Sequence, residues 1–204
     1  CFIGYTKKAQ KVTADDLHMV PHKVTSMVDY EQYFGGAPDL VSDYSNPLDR
    51  VKVVLNESNE PSEAVLDNKY YMYDSMKLFY DNGGGKCYVI SVGKFPSTII
   101  YGTTTTGLRG GLEALKKKDE PTMIVFPDAV LLSGADELYQ LQQQALAQSG
   151  KLMDRVTICD LKNSGDHDAD VEEFRSKIGI KDLKYGAAYS PWLKTRLPKN
   201  IKFR

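Results

Sequence analysis

Asp128 and Asp160 each follow a short apolar run, Met123 to Phe126 and Val156 to Cys159 respectively. If those runs are parallel strands, both carboxylates lie at the carboxyl edge of a sheet, where open α/β folds bind ligands. Two acids so placed hold a magnesium ion in phosphoryl-transfer and receiver-type proteins. The receiver pattern also needs acids after an early strand and a lysine before a late proline. Here the first apolar run ends in Tyr5-Thr6, and the late proline, Pro191, follows Ser190. Acids that cap strand ends as turn residues are the commoner arrangement, so the pair is expected to be structural. An α/β enzyme, or a metal- or nucleotide-binding domain using Asp128 and Asp160, stands as the alternative.

The remaining chemical candidates fail on spacing or context. Gly83-Gly84-Gly85-Lys86 has glycines and a lysine, but a phosphate loop follows a strand and opens a helix. Here a helical pattern precedes the glycines and a strand pattern follows, so they read as a helix stop. Gly102 to Gly111 has the right context yet lacks the dinucleotide glycine spacing and a Lys-Ser or Lys-Thr pair; it reads as a flexible loop. Asp166, Asp168 and Asp170 begin like a calcium loop, but Val171 stands where glycine is required and Lys177 where glutamate is. Asp170 with Glu173 suits a helix N-cap better. His18 and His22 have Pro21 between them, and His167 has no Cys or His at metal spacing. Ser133-Gly134 lacks the nucleophile elbow, and no cysteine is placed beside a histidine. Asn56-Glu57-Ser58 matches a glycosylation acceptor, read as a chance match in the absence of a visible secretory signal. No catalytic, cofactor-binding or metal residue is therefore assigned.

The elements that would position these residues alternate. Phe2 to Tyr5 reads as a strand, Val20 to Thr25 as another, and Ser26 with Asp29 as the cap of a helix ending at Phe34 before Gly35-Gly36. Ala37 to Leu48 is turn-rich (Pro38, Ser42, Asp43, Ser45, Asn46, Pro47). Val51 to Leu55 and Glu63 to Leu66 form a hairpin pattern around Asn56 to Asn59. Tyr70 to Asp81 is helical by its Met72, Met76, Phe79 spacing, and Cys87 to Val92 reads as a strand. Helical spacing recurs at Leu108, Leu112, Leu115, at Leu138, Leu141, Ala145 and at Val171, Phe174, Ile178, and Tyr185 to Tyr189 closes the series. The alternation predicts an α/β fold: a mostly parallel sheet covered by helices on both faces. Residues 1–36 and 68–204 form the core domain, and residues 37–67 a peripheral insertion with the hairpin. The rings of Tyr70, Tyr71, Tyr73, Phe79 and Tyr80 are too many for one core-facing stripe, so some are expected to cover a partner.

A chain of 204 residues suffices for one sizeable domain. Lys and Arg number 26 against 27 Asp and Glu, with no long block of one sign, so the electrostatic footprint of a nucleic-acid binder is missing. The apolar residues are too interrupted by charge for a membrane span, and the protein is expected to be soluble. Of the three cysteines, Cys87 and Cys159 sit inside apolar strand patterns and read as core residues of a protein that folds in a reducing compartment. An open reading frame does not begin with cysteine, so a chain starting at Cys1 is expected to be a fragment.

The order of segments carries more than any one motif. Phe2-Ile-Gly-Tyr-Thr, Tyr30-Glu-Gln-Tyr-Phe-Gly-Gly-Ala-Pro, Tyr73-Asp-Ser-Met-Lys-Leu-Phe-Tyr-Asp-Asn-Gly-Gly-Gly and Cys87-Tyr-Val-Ile-Ser-Val-Gly resemble successive blocks of the contractile tail sheath family. So do Gly111-Leu-Glu-Ala-Leu with Glu120-Pro-Thr, Phe126-Pro-Asp-Ala-Val-Leu-Leu, Gln142-Gln-Gln-Ala-Leu-Ala-Gln and Lys184-Tyr-Gly-Ala-Ala-Tyr-Ser-Pro-Trp-Leu. They run in family order from residue 2 to about residue 195, closest in flavour to phage-tail-like contractile injection particles. The resemblance implies a non-enzymatic structural subunit that polymerises around an inner tail tube and contracts to drive it through a target envelope. It implies other sheath subunits, the tube, and baseplate and terminator proteins as partners, with no cofactor, nucleic acid or membrane. It places the protein in a virion tail or related particle assembled in the bacterial cytoplasm. In the family, terminal arms donate strands between subunits; the arm before Phe2 and the domain after Trp192-Leu-Lys-Thr are expected to be missing here.

Overall fold

The computed structural model describes residues 1–38, 40–41, 51–66, 70–95, 97–198 and 201–202. In chain order the elements are β1 (Phe2–Thr6), β2 (His22–Val24), α1 (Met27–Phe34), β3 (Leu40–Val41), β4 (Val51–Leu55), β5 (Pro61–Leu66), α2 (Met72–Asp81) and β6 (Cys87–Lys94). They continue with α3 (Gly107–Leu115), β7 (Met123–Ile124), α4 (Glu137–Leu152), β8 (Val156–Asp160), α5 (His167–Lys177), β9 (Gly186–Tyr189) and β10 (Ile201–Lys202).

All five residues of β1 are buried, as an apolar strand must be when both of its faces are covered. It pairs in parallel with β6, with Phe2 opposite Val89 and Ile3 opposite Ile90, and β2 adds antiparallel to the outer side of β6. β7, β8 and β9 form a second parallel ladder. Val125 joins the two: its N–H donates to the Cys1 carbonyl at 2.9 Å, and its carbonyl accepts from the Ile3 N–H at 2.9 Å. The order across the sheet is therefore β2-β6-β1-β7-β8-β9, parallel except for β2.

Side-chain alternation sorts the helices to two faces. Ile3, Tyr5, Ile90 and Val92 pack with Leu108, Leu112 and Leu115 of α3 and Leu138, Leu141 and Ala145 of α4. Phe2, Val24 and Val89 pack with Tyr30 and Phe34 of α1 and Met72 and Met76 of α2. Each fully buried aliphatic side chain contributes about 1.5–3 kcal/mol relative to exposure. α5 lies on the α4 side, where Phe174 meets Tyr139 edge to face at 6.3 Å. The chain thus leaves β1 in one direction through α1 and α2 to β6, then returns over α3 to β7 and continues outward. This is a doubly wound sheet whose direction reverses between β1 and β7.

Gly111 explains how closely α3 approaches the sheet. A Cβ there would overlap the Cγ2 of Ile3 and stand 2.6 Å from the Cγ1 of Val92. Gly107 to Gly111 are thus the first turns of α3 and not part of a flexible loop, contrary to the sequence expectation; tight packing on the sheet outweighs glycine's poor helix propensity. The cap of α1 is as anticipated, with the Ser26 hydroxyl accepting from the Asp29 N–H at 3.1 Å. α2 ends with Gly83 at φ +84°, the left-handed conformation glycine adopts readily.

α5 begins a turn earlier than expected. Its N-cap is Asp166, whose carboxylate accepts from the Ala169 N–H at 3.1 Å, while Asp170 is buried and accepts from the Ser164 N–H at 3.0 Å. Glu173, expected in the cap, instead pairs with Lys162 at 2.9 Å and Lys177 at 2.8 Å.

β4 and β5 form the anticipated hairpin, with the second strand starting two residues earlier, at Pro61. Asn56 organises its turn: Oδ1 accepts from the N–H groups of Ser58 and Glu60 at 3.0 and 2.9 Å. β3 pairs in parallel with β10. The turn-rich stretch from Ala37 to Leu48 falls mostly outside the described residues.

Cover on the second face of the sheet is incomplete. In β8, Thr157 and Cys159 face α4 and are buried, whereas Val156 is 37% exposed on the opposite face. Met123 of β7, 55% exposed, joins it there. Among the described residues α2 reaches this face only near Val125 and Asp160, which leaves Met123 and Val156 exposed at the other end of β7 and β8.

Candidate functional site

In a doubly wound sheet the ligand crevice lies at the carboxyl ends of the two strands flanking the reversal, here β1 and β7. Asp128 occupies that position, and its side chain is fully buried. Oδ2 accepts from the Tyr5 N–H at 2.8 Å; Oδ1 accepts from the N–H groups of Tyr71 and Met72 at 2.6 and 3.1 Å. Tyr71 and Met72 open α2, which has no side-chain cap of its own. The carboxylate therefore caps α2 from outside and ties it to the end of β1. Gly4 makes room, since a Cβ there would stand 2.6 Å from Oδ2. Burial pushes the Asp128 carboxyl up to about 6, against the opposing pull of the three N–H donors. The Asp128 carboxylate is engaged by the protein's own backbone.

Asp160 is placed differently. It ends β8 on the face opposite α4 and lines a cavity of about 390 Å³ between α2 and the segment after β9. Tyr71, Leu78, Val125, Tyr189 and Trp192 form apolar and aromatic walls, and Asp74 and Ser75 add polar atoms. The Trp192 ring meets Tyr71 edge to face at 5.6 Å, and its Nε1–H donates to the Leu161 carbonyl at 2.9 Å, which straps the segment down. Partial burial alone pushes the Asp160 carboxyl up to about 6. No side-chain hydrogen bond or ion pair engages that carboxylate among the described residues.

The two aspartates are therefore not one site. Tyr71 separates their roles, giving its N–H to Asp128 and its ring to the Asp160 cavity. Among the described residues no group of three or more His, Cys, Asp or Glu is placed to hold a metal ion. Asp166, Asp168 and Asp170 belong to the start of α5. His18 forms an isolated parallel bridge with Ser91 of β6, His22 lies in β2, and His167 stands at the head of α5, with its Nδ1 3.2 Å from the Ser190 hydroxyl. All three cysteines are buried free thiols. Cys1 and Cys87 pack in the clusters on opposite faces of the sheet. Burial raises the thiol of Cys87 and pushes that of Cys159 up to about 12, which makes both poor nucleophiles.

Trp192 and the apolar wall around Asp160 escaped sequence reading, because residues 190–195 carry no periodicity. The neighbouring tyrosines left a partial signal: Tyr70 is buried, while Tyr71, Tyr73, Phe79 and Tyr80 are only partly so. No helix among the described residues is long and apolar enough to cross a membrane. The chain matches no protein-family model, and no curated protein matches it.

Proposed function

We propose that this chain is the α/β core of a contractile tail sheath subunit, a structural protein that polymerises around an inner tube and contracts to drive the tube through a target envelope. The reading rests on the family-ordered segments from Phe2-Ile-Gly-Tyr-Thr to Trp192-Leu. The observation that carries its non-catalytic part is Asp128, which spends its carboxylate on three backbone N–H groups in the crevice where an α/β enzyme of this winding would bind substrate. Work would then come from lattice contacts that are more favourable in the contracted state, with no nucleotide hydrolysis. Its partners would be other sheath copies, the inner tube, and baseplate and terminator proteins, in a virion tail or related particle.

Negative-stain electron microscopy of the full-length protein, expressed with and without its tube protein, tests this. Striated hollow cylinders are expected, and single particles under both conditions would refute it. The Asp160 cavity keeps a second reading in play, a magnesium- or nucleotide-binding domain. A rise in melting temperature with magnesium or a nucleotide, lost in Asp160→Asn, would favour that reading, because a ligand of the folded state alone stabilises it.

A further inference from the structure

We propose that the Asp160 cavity receives a lysine side chain from a second copy of this chain, supplied by the groove between the Met19 to Pro21 segment and the end of α3. The proposal rests on the assembly function above and names one of its contacts.

The cavity is lined by the carboxylates of Asp160 and Asp74 and by aromatic rings, and no lysine or arginine is among its lining residues. A carboxylate drawn out of water without a counter-charge is costly, and ring faces attract cations, so the arrangement suits an ammonium group at the end of an apolar stem. The same molecule carries the complement elsewhere. Lys117 and Lys118 line a groove with Met19, Val20, Pro21 and Ala114. Both lysines are exposed, and neither enters an ion pair among the described residues; Glu113, also in the groove, is paired with Lys116 at 2.6 Å.

Topology prevents the two surfaces from meeting within one molecule. The cavity lies on the α2 face at the β7–β9 end of the sheet, and the groove on the α3 face at the β2 end. This cavity and this groove can therefore pair only between copies. Because the two surfaces differ, the contact is heterologous, and such contacts repeat head to tail into rings or helices.

Trp192 is the only tryptophan in the chain, so its emission reports on this cavity. The test mixes dilute wild-type chain with a non-emitting Trp192→Phe copy, raised to about 1 mM at low salt, the range expected of a weak lattice contact. A saturable emission change that weakens with salt is expected. It should vanish when the emitting copy carries Asp160→Asn or the dark copy carries Lys117→Glu with Lys118→Glu, with circular dichroism confirming that each variant is folded. Pairing an Asp160→Lys emitter with the doubly substituted dark copy should restore it. No change with wild type, or an undiminished change with the Lys117→Glu, Lys118→Glu copy, overturns the proposal; a response to penta-lysine alone would assign the cavity to another basic protein. Striated cylinders from doubly substituted full-length protein would refute the contact and leave the sheath reading intact, whereas an emission response without cylinders would do the reverse.

Discussion

Asp128 and Asp160 have the same side chain and the same upward-displaced acidity, yet the structure gives them opposite roles. Removing the Asp128 carboxylate leaves the N–H groups of Tyr5 and Met72, which are buried, and of Tyr71, which is partly so, without their acceptor. Each orphaned buried donor costs about 1–3 kcal/mol. Asp128→Ala is therefore expected to lower unfolding stability by about 3 kcal/mol or more, and Asp160→Ala by less than about 1 kcal/mol, read as the urea midpoint. Equal effects would contradict the assignment. Because burial raises both carboxyls to about 6, the folded state holds their protons more tightly than the unfolded chain does. Their contribution is fully present below about pH 4 and is lost as pH rises through about 6. Glu173, held down at about 2 by Lys177 and then Lys162, acts oppositely, its contribution being present above about pH 4.5 and lost as pH falls toward about 2. Stability measured from pH 4 to 7 should decline, and Asp160→Asn should flatten that decline; an unchanged slope in the variant would remove Asp160 from the account.

At the level of elements, the contact of α3 with the sheet depends on a residue too small to hold it off. Gly111 sits where a side chain would strike Ile3 and Val92, both in strands buried at the centre of the molecule. Gly111→Val should cost about 1–3 kcal/mol through overpacking, although valine is the better helix former. Should the variant be as stable as wild type in thermal unfolding, α3 does not need that approach. The helix periods were legible in Leu108, Leu112, Leu115 and in Leu138, Leu141, Ala145 because one buried stripe leaves a 3.6-residue repeat. The onset of α5 was not legible, because Asp166, Asp168 and Asp170 all suit a helix start, and only the Ala169 N–H bonded to Asp166 selects among them.

Across the whole molecule, stability is distributed unevenly. β1 and β6 are covered on both faces, whereas β4 and β5 pair only with each other among the described residues. Hydrogen exchange should protect the β1 and β6 amides longest and release those of the β4–β5 hairpin first; a hairpin as protected as β1 would mean that it has a cover of its own. Residue order over short stretches dictates the element series, the α/β class, the capped start of α1, the glycine stop of α2 and the hairpin turn at Asn56. Each follows from periodicity or backbone preference within a few residues. Contacts between distant parts of the chain set the order β2-β6-β1-β7-β8-β9, the cavity around Asp160 and the capping of α2 by Asp128. Those depend on groups far apart in the chain, such as Asp128 and the Tyr5 N–H, 123 residues away. Residue spacing encodes which side of an element is buried, but it does not encode which distant donor or cation a buried carboxylate will meet.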